Sequence, residues 1–488
     1  MKHPSLLVSL MPIVLLIALL SVSIYMFGDG MLAGPSQVVL ILITGVICAI
    51  AIVGYKKKWS FLEDFMIGNI GSSMPACLIL FMVGAICATW MQSGIIPTMI
   101  YYGLNVISAR WFLLTACAIS SLVSLCIGSS WTTIATVGVG LMGIGHTLGI
   151  SDGWVAGAII SGAYFGDKIS PLSETTNLAS SMAGVPLFDH IRNMMKTTVP
   201  SISVTMVVFL IVGLLSSPSA EATMDAAQQM QIHLLDTFTI SPLLFIVPLG
   251  VFYLIYKGLP AIIVLFLGAL VAAVMMPFVQ PQLVEAIVGA GKSGFTGGLE
   301  CVMRVVFGGV SYETGNVGLN DLVSTSGMSG MLSTIWLIIC SMCFGGAMEA
   351  SGMLGTITES LLKMMRGRFK TVATTCLSCL FVNVAAGDQY LAIILPAKMY
   401  GEAFGKQNLE KKLLSRTVED SGTVTSVLIP WNSCGMTQST VLGVSTLVYA
   451  PFAIFCWLSP LMTMLFAALH NFKSSHLDTS TLSHISTT

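Results

Sequence analysis

Ten apolar stretches without a charge recur along this 488-residue chain, over 5–27, 36–54, 76–96, 111–127, 200–216, 239–256, 259–278, 331–348, 371–386 and 446–468. Most approach the roughly 20 residues a helix needs to cross the hydrocarbon core of a bilayer. In that core the backbone must satisfy its own hydrogen bonds, so the stretches predict spanning helices. Composition closes the alternatives. Charged residues make up 9% of the chain, against roughly 25% in soluble domains. That is too few to cover a water-facing surface, which excludes a soluble enzyme and a disordered chain. A net charge of −1 leaves no basic footprint for nucleic acid. The first stretch is too long for a signal-peptide core and is expected to stay as a span. The pairs Cys340/Cys343 and Cys376/Cys379 lie inside apolar runs and read as small buried side chains, not as a transition-metal site.

Basic residues set the orientation. Lys56, Lys57 and Lys58 follow the second stretch; Lys363, Arg366, Arg368 and Lys370 form another group, and Lys406, Lys411, Lys412 and Arg416 a third. Arg192 and Lys196 are a weaker fourth. Residues 216–239 hold Glu221, Asp225 and Asp236 but neither Lys nor Arg. Both termini on the cytoplasmic side of a plasma (inner) membrane satisfy every assignment.

The chain also matches itself. Leu62-Glu63-Asp64-Phe65 resembles Leu319-Asn320-Asp321-Leu322; Met74 pairs with Met331, Ser93-Gly94 with Ser351-Gly352, Cys117 with Cys376, and Gly128 with Gly387. Asp167 pairs with Asp420 and Asn177 with Asn432, so the offsets stay between 253 and 259. Two copies follow, near 56–216 and 313–470. Around them lie two N-terminal spans (1–55), linking spans and loops (217–312) and a polar tail (471–488). The first copy should hold an interfacial arm, a span, a hairpin, a broken helix and a further span, and the second should repeat it. The hairpin between Arg110 and His146 opens on a side poor in basic residues, whereas that between Lys370 and Lys406 opens on a basic side. The copies should therefore be inverted. The fold class is an all-α polytopic membrane protein with about ten full crossings plus two hairpins.

Polar runs between apolar half-spans mark where such a chain does chemistry, because broken backbone at membrane depth is tolerated only in a protein-lined cavity. Gly166-Asp167-Lys168-Ile169-Ser170-Pro171-Leu172-Ser173-Glu174-Thr175-Thr176-Asn177 is the strongest. Pro171 removes an amide donor. The freed carbonyls, the hydroxyls and the Asn177 amide make an oxygen-rich set suited to a hard cation. Lys168 and Glu174 are read as neutralising each other or as sitting at the mouth. The second copy repeats the recipe in Glu419-Asp420-Ser421-Gly422-Thr423-Val424-Thr425, followed by Pro430-Trp431-Asn432-Ser433. Glu419 is expected to be solvated near the basic loop and Asp420 to lie deep. The hairpin tips add Gly128-Ser129-Ser130-Trp131-Thr132-Thr133 and Gly387-Asp388-Gln389-Tyr390, where Asp388 replaces Ser129. An acid at one tip alone is either a special proton or cation site or a helix cap.

The run GDKISPLSETTNLAS (166–180), with GSSWTT (128–133) and the AGDQY–EDSG–PWNSCG series (386–435), resembles the NhaC family of sodium/proton antiporters. The resemblance spans about 56–470. It implies secondary transport from two inverted repeats, each with a re-entrant hairpin and a broken helix whose tips and breaks hold cations and substrate. On that reading Asp167, Asp388 and Asp420 are the titratable candidates, and Ser170, Thr175, Asn177, Thr423 and Asn432 supply neutral oxygens. Ser129, Ser130, Thr132, Lys168, Ser173, Glu174, Thr176, Gln389, Tyr390, Ser421, Thr425, Trp431 and Ser433 are candidates for contact with a substrate. The expected partners are Na+, H+ and the lipid bilayer, with sodium the coupling ion or substrate and no cofactor or nucleic acid. A small organic acid or amino acid is the alternative cargo, and a homodimer is left open. An aspartyl protease is disfavoured because Tyr164 and Ala385 replace the first glycine of its Gly-x-Gly-Asp motif. A channel is disfavoured because inverted broken repeats suit a carrier.

Overall fold

The computed structural model of the chain describes residues 4–27, 34–106, 108–215, 220–289, 294–311, 320 and 324–485. Among the described residues it is helical throughout, save one isolated bridge between Val310 and Thr325. Among the described residues eight helices are long and apolar enough to cross a membrane: Leu6–Phe27, Pro35–Gly54, Trp59–Gln92, Ala109–Ile127, Leu187–Leu215, Ala261–Val279, Met328–Ser351 and Gly367–Ala386. Two helix pairs bent by 89° and 52° raise the number to ten. Outward-facing Leu122, Val274, Phe278 and Leu465 give these helices an apolar exterior suited to lipid. The chain is thus an all-α, polytopic membrane protein.

Trp59–Gln92 is one continuous 34-residue helix that passes through Pro75. The expected arm of the first copy is therefore the front of its span, not a separate element. Its counterpart around Asp321 lies outside the described residues, except Asn320. So do Glu313 and the last three residues of the tail.

The long helices of the two copies pack on each other. Gly346 lies against Met66, and Gly84 against Met331 and Gly327. The C-terminal half of each helix thus meets the N-terminal part of the other, so the matched helices run antiparallel. The accessory spans distribute accordingly. The N-terminal pair joins the second copy through Gln37 Nε2 donating to Ser333 O (3.2 Å) and Lys57 Nζ to Ala350 O (3.0 Å). The linking spans join the first copy through Trp90 Nε1 donating to Gly268 O (3.3 Å) and Gln280 Nε2 to Ser93 O (3.3 Å). Lys57 thus marks the C-terminal end of Met328–Ser351 as the basic side.

Each copy then builds a hairpin and a broken helix. Phe112–Ile127 turns at Gly128 (φ 73°) into Ser130–Thr133, a π-turn over Ile134–Gly138, and Val139–Thr147. Gly367–Ala386 turns at Gly387 (φ 67°) into Gln389–Lys406. Both tip glycines hold a left-handed backbone that other residues adopt only with strain. Each packs on the break in its own copy: Gly128 on Leu172 and Ser173, Gly387 on Ser341 and the carbonyl of Trp431. Beyond the breaks the helices continue as Glu174–Met182 and Ser433–Leu442. At 1.5 Å per residue these segments are about 14 and 15 Å long.

A methyl group at Gly128 would sit 2.6 Å from Leu172 Cβ at a positive φ. Gly128→Ala is expected to destabilise the fold by about 1–3 kcal/mol, read as a lower melting temperature of the purified protein in detergent with unchanged helix content.

Candidate cation and proton site

The first broken helix runs Asp152–Ile169, breaks over residues 170–173 and resumes as Glu174–Met182. Its own side chains close the break. Thr176 Oγ1 donates to Lys168 O (2.9 Å), and Asn177 Nδ2 to Pro171 O (2.9 Å) and Ser173 O (2.7 Å). Ser173 caps the second segment, accepting from Thr176 N (3.4 Å), and Ser170 Oγ accepts from Leu172 N (3.3 Å). Asp167 is buried at the end of the first segment. Its Oδ2 accepts from both the backbone N–H (3.1 Å) and the hydroxyl (2.8 Å) of Ser130 at the hairpin tip. Ser129 caps that tip helix, with Thr132 donating from N (3.3 Å) and Oγ1 (3.1 Å).

The second tip has the same plan with a different cap. Asp388 takes the place of Ser129, accepting from Leu391 N at 2.8 Å. The capping alternative is thus the contact the structure contains. Asn383 ties this hairpin to the second break by donating to Gly422 O (2.7 Å) and Thr425 Oγ1 (3.0 Å). Asn432 donates back to Asn383 Oδ1 (3.1 Å) and caps the distal segment at Cys434 N (3.0 Å). Trp431 Nε1 donates to Val384 O (2.8 Å) and Ser433 N to Gly387 O (2.9 Å). Ser421 and Thr425 return their hydroxyls to the carbonyls of Thr417 and Ser421 (both 2.5 Å), and Gln389 Oε1 accepts from Ser426 (3.4 Å). These side chains stitch the broken backbone to the hairpin.

The copies meet between their breaks. Lys168 and Asp420 are fully buried and form an ion pair. Lys168 also donates to Ser459 Oγ (2.8 Å), and the other Asp420 oxygen accepts from Thr197 Oγ1 (2.8 Å) and from Thr463. Both oxygens of Asp420 are therefore engaged. Next to it, Glu419 is fully buried; its Oε1 accepts from Thr175 Oγ1 (3.2 Å), which lies 3.1 Å from Ser173 Oγ. Glu419 Oε2 is buried with the Thr423 hydroxyl beside it, and the Lys168 ammonium acts on the carboxylate from farther off. A buried charge normally has partners; those of Glu419 are the Thr175 and Thr423 hydroxyls and, at longer range, Lys168.

The profile of the Na+/H+ antiporter family matches residues 162–470, which include both breaks and the second hairpin. The chain belongs to this family. It is 40% identical to a Na(+)/H(+) antiporter NhaC of Alkalihalophilus pseudofirmus over 85% of this chain and 86% of the relative. It is 34% identical to a Na(+)/H(+) antiporter NhaC of Bacillus subtilis, covering 86% and 89%. A malate-2H(+)/Na(+)-lactate antiporter of Bacillus subtilis is 33% identical, covering 84% of each chain.

Within this antiporter family member, the sequence reading changes at two charges. Lys168 neither pairs with Glu174 nor sits at a mouth: it is buried against Asp420, while Glu174 Oε2 accepts from Tyr390 OH of the second hairpin (3.0 Å). Glu419 is not solvated at the interface. A π-turn over Glu419–Thr423, flanked by elements of both copies, buries Glu419 and Asp420 together. Sequence reasoning also missed Thr197, which stands among other hydroxyls of its helix, and Ser459 and Thr463, isolated hydroxyls in an apolar stretch.

Proposed function

We propose that the protein exchanges sodium for protons across the plasma membrane, both termini cytoplasmic, by alternating access at a site between the two helix breaks. The observation that carries the reading is the Glu419 carboxylate, fully buried among hydroxyls and linked through Thr175 and Ser173 to the first break. A buried carboxylate whose nearby ammonium, Lys168, is already paired with Asp420 takes either a proton or a cation. Glu419 and Asp167 supply the acids, and Thr175, Ser173 and Thr423 supply neutral oxygens of the kind sodium accepts. Occupation by one ion excludes the other, which yields exchange without further machinery. Lys168 and Asp420 neutralise each other and hold the copies in register, while Asp388 and Asn432 cap the tip and the distal segment.

A second reading, ion-coupled exchange of a small organic acid, draws on the malate and lactate named for the Bacillus relative. The test is a sodium gradient imposed on proteoliposomes with an internal pH dye. Wild-type protein should move protons against the gradient without any organic solute, and Asp167→Asn should reduce that flux to the leak of empty vesicles. Wild-type flux that appears only with an organic acid present would replace the first reading by the second.

A further inference from the structure

A cavity of about 480 Å³ opens at the basic end of the fold, lined by Arg192, Lys196, Lys411 and Lys412, with Asp189 and Glu410 the acids on its wall. The cations come from two helices, Leu187–Leu215 of the first copy and Lys411–Val418 of the second. Two contacts staple these helices together. Asn193 Nδ2 donates to Lys412 O (2.7 Å), and His190 Nδ1 lies 2.9 Å from Ser415 Oγ. The charges do not balance. Glu410 pairs with Lys412 (2.8 Å), and Lys412, with Arg368 and Lys196 farther off, holds its carboxyl below the usual range. Among the described residues Arg192, Lys196 and Lys411 are in no ion pair. Both helices also begin at the cavity, and the positive ends of their dipoles add to the attraction for an anion. The flank of the cavity indicates which anion. On Leu187–Leu215 the exposed Phe188, Met195 and Val199 recur at spacings of seven and four, one stripe facing lipid. Helical spacing puts Arg192 on that stripe and Lys196 beside it, between the stripe and the buried Asn193. Phe188, 73% exposed at the start of the helix, is the kind of aromatic that anchors at headgroup level. A soluble anion would leave the stripe unused; a phospholipid would occupy cavity and stripe together.

We propose that this cavity holds the headgroup phosphate of an anionic phospholipid from the cytoplasmic leaflet, with the acyl chains lying along Phe188, Met195 and Val199. Basic pockets between spanning helices on the cytoplasmic side suit such headgroups. Arg192, Lys196 and Lys411 donate to the phosphate oxygens in charge-assisted hydrogen bonds. A zwitterionic headgroup would bring its own cation into a space that already holds four. The lipid bridges the copies next to the ion site. Lys411–Val418 runs directly into the π-turn Glu419–Thr423, and Leu187–Leu215 carries Thr197, which donates to Asp420 (2.8 Å). The two elements that the phosphate ties together are therefore the ones that hold Asp420. Only the choice of leaflet rests on the orientation proposed above; the contacts do not depend on it or on which acid titrates.

The test measures thermal melting of the delipidated full-length protein in dodecyl maltoside, titrated with dioleoyl phosphatidylglycerol, dioleoyl phosphatidylcholine or inorganic phosphate. Phosphatidylglycerol should raise the melting temperature saturably, and the other two should not. The double variant Arg192→Gln, Lys196→Gln and the single variant Lys411→Gln should each weaken the apparent dissociation constant for phosphatidylglycerol about tenfold or more, as expected for lost charge-assisted hydrogen bonds. The double variant Lys56→Gln, Lys58→Gln removes two cations from another basic cluster and should bind like wild type. The proposal is overturned if phosphatidylglycerol gives no saturable shift, if phosphatidylcholine matches it, or if either cavity variant binds like wild type. An equal loss in the Lys56, Lys58 variant would also overturn it, because the attraction would then be general to the basic surface. A shift produced by inorganic phosphate alone would replace the lipid by a soluble anion. If the Arg192, Lys196 variant does not fold, Lys411→Gln alone decides. Absence of sodium-driven proton flux in the wild type would sink the exchange reading while leaving the melting result intact.

Discussion

Glu419→Gln is expected to bring sodium-driven proton flux down to the leak of empty vesicles while leaving the protein folded. The substitution is close to isosteric. The amide oxygen can still accept from Thr175 Oγ1, the single hydrogen bond that Glu419 Oε1 makes at 3.2 Å. What disappears is the charge and the ability to take a proton at Oε2, the oxygen beside the Thr423 hydroxyl. A residue whose role is packing would tolerate the exchange. One that alternately holds a proton and a cation would not, because an amide offers neither a titrating site nor a negative charge. The control is the melting temperature, which should stay within a few degrees of wild type. Retention of more than half the wild-type flux would remove Glu419 from the site and return attention to Asp167 and Ser130 at the first tip.

Particular residues show what could be read from the sequence. The first break was legible because Pro171 and a run of hydroxyls stand between apolar half-spans, and the structure breaks at residues 170–173. The inversion was legible because basic residues report the side on which each hairpin opens; the antiparallel contacts of Gly346 with Met66 and Gly84 with Met331 agree. The roles of adjacent acids were not legible. Consecutive residues on a regular helix point about 100° apart, so sequence alone favoured one of Glu419 and Asp420 for the interior. The π-turn and the packing of both copies around it bury both. The pairing of Lys168 with Asp420 joins residues 252 apart and belonging to different copies. No local pattern encodes it, and the nearby Glu174 offered a closer but incorrect partner.

Lys168→Met is expected to be the most destabilising single change considered. Lys168 and Asp420 have fully buried side chains, and the Asp420 carboxylate also accepts from Thr197 and Thr463, on the helices Leu187–Leu215 and Ile454–Ile485. Removing the ammonium leaves a carboxylate bound by hydroxyls but with its charge unmatched. Breaking a buried pair from one side costs about 3–5 kcal/mol, because the remaining charge has been taken out of water without compensation. The double variant Lys168→Met, Asp420→Leu removes both charges and should recover a large part of the loss, since a buried pair and a well-packed apolar pair are often comparable in stability. Thermal melting and the yield of monodisperse protein in detergent, measured for both singles and the double, form the cycle that isolates the coupling. A single variant that melts like wild type would show that the pair is dispensable for holding the copies together. A double variant that recovers stability and still exchanges sodium for protons would confine Lys168 and Asp420 to architecture and leave Asp167 and Glu419 as the acids that carry transport.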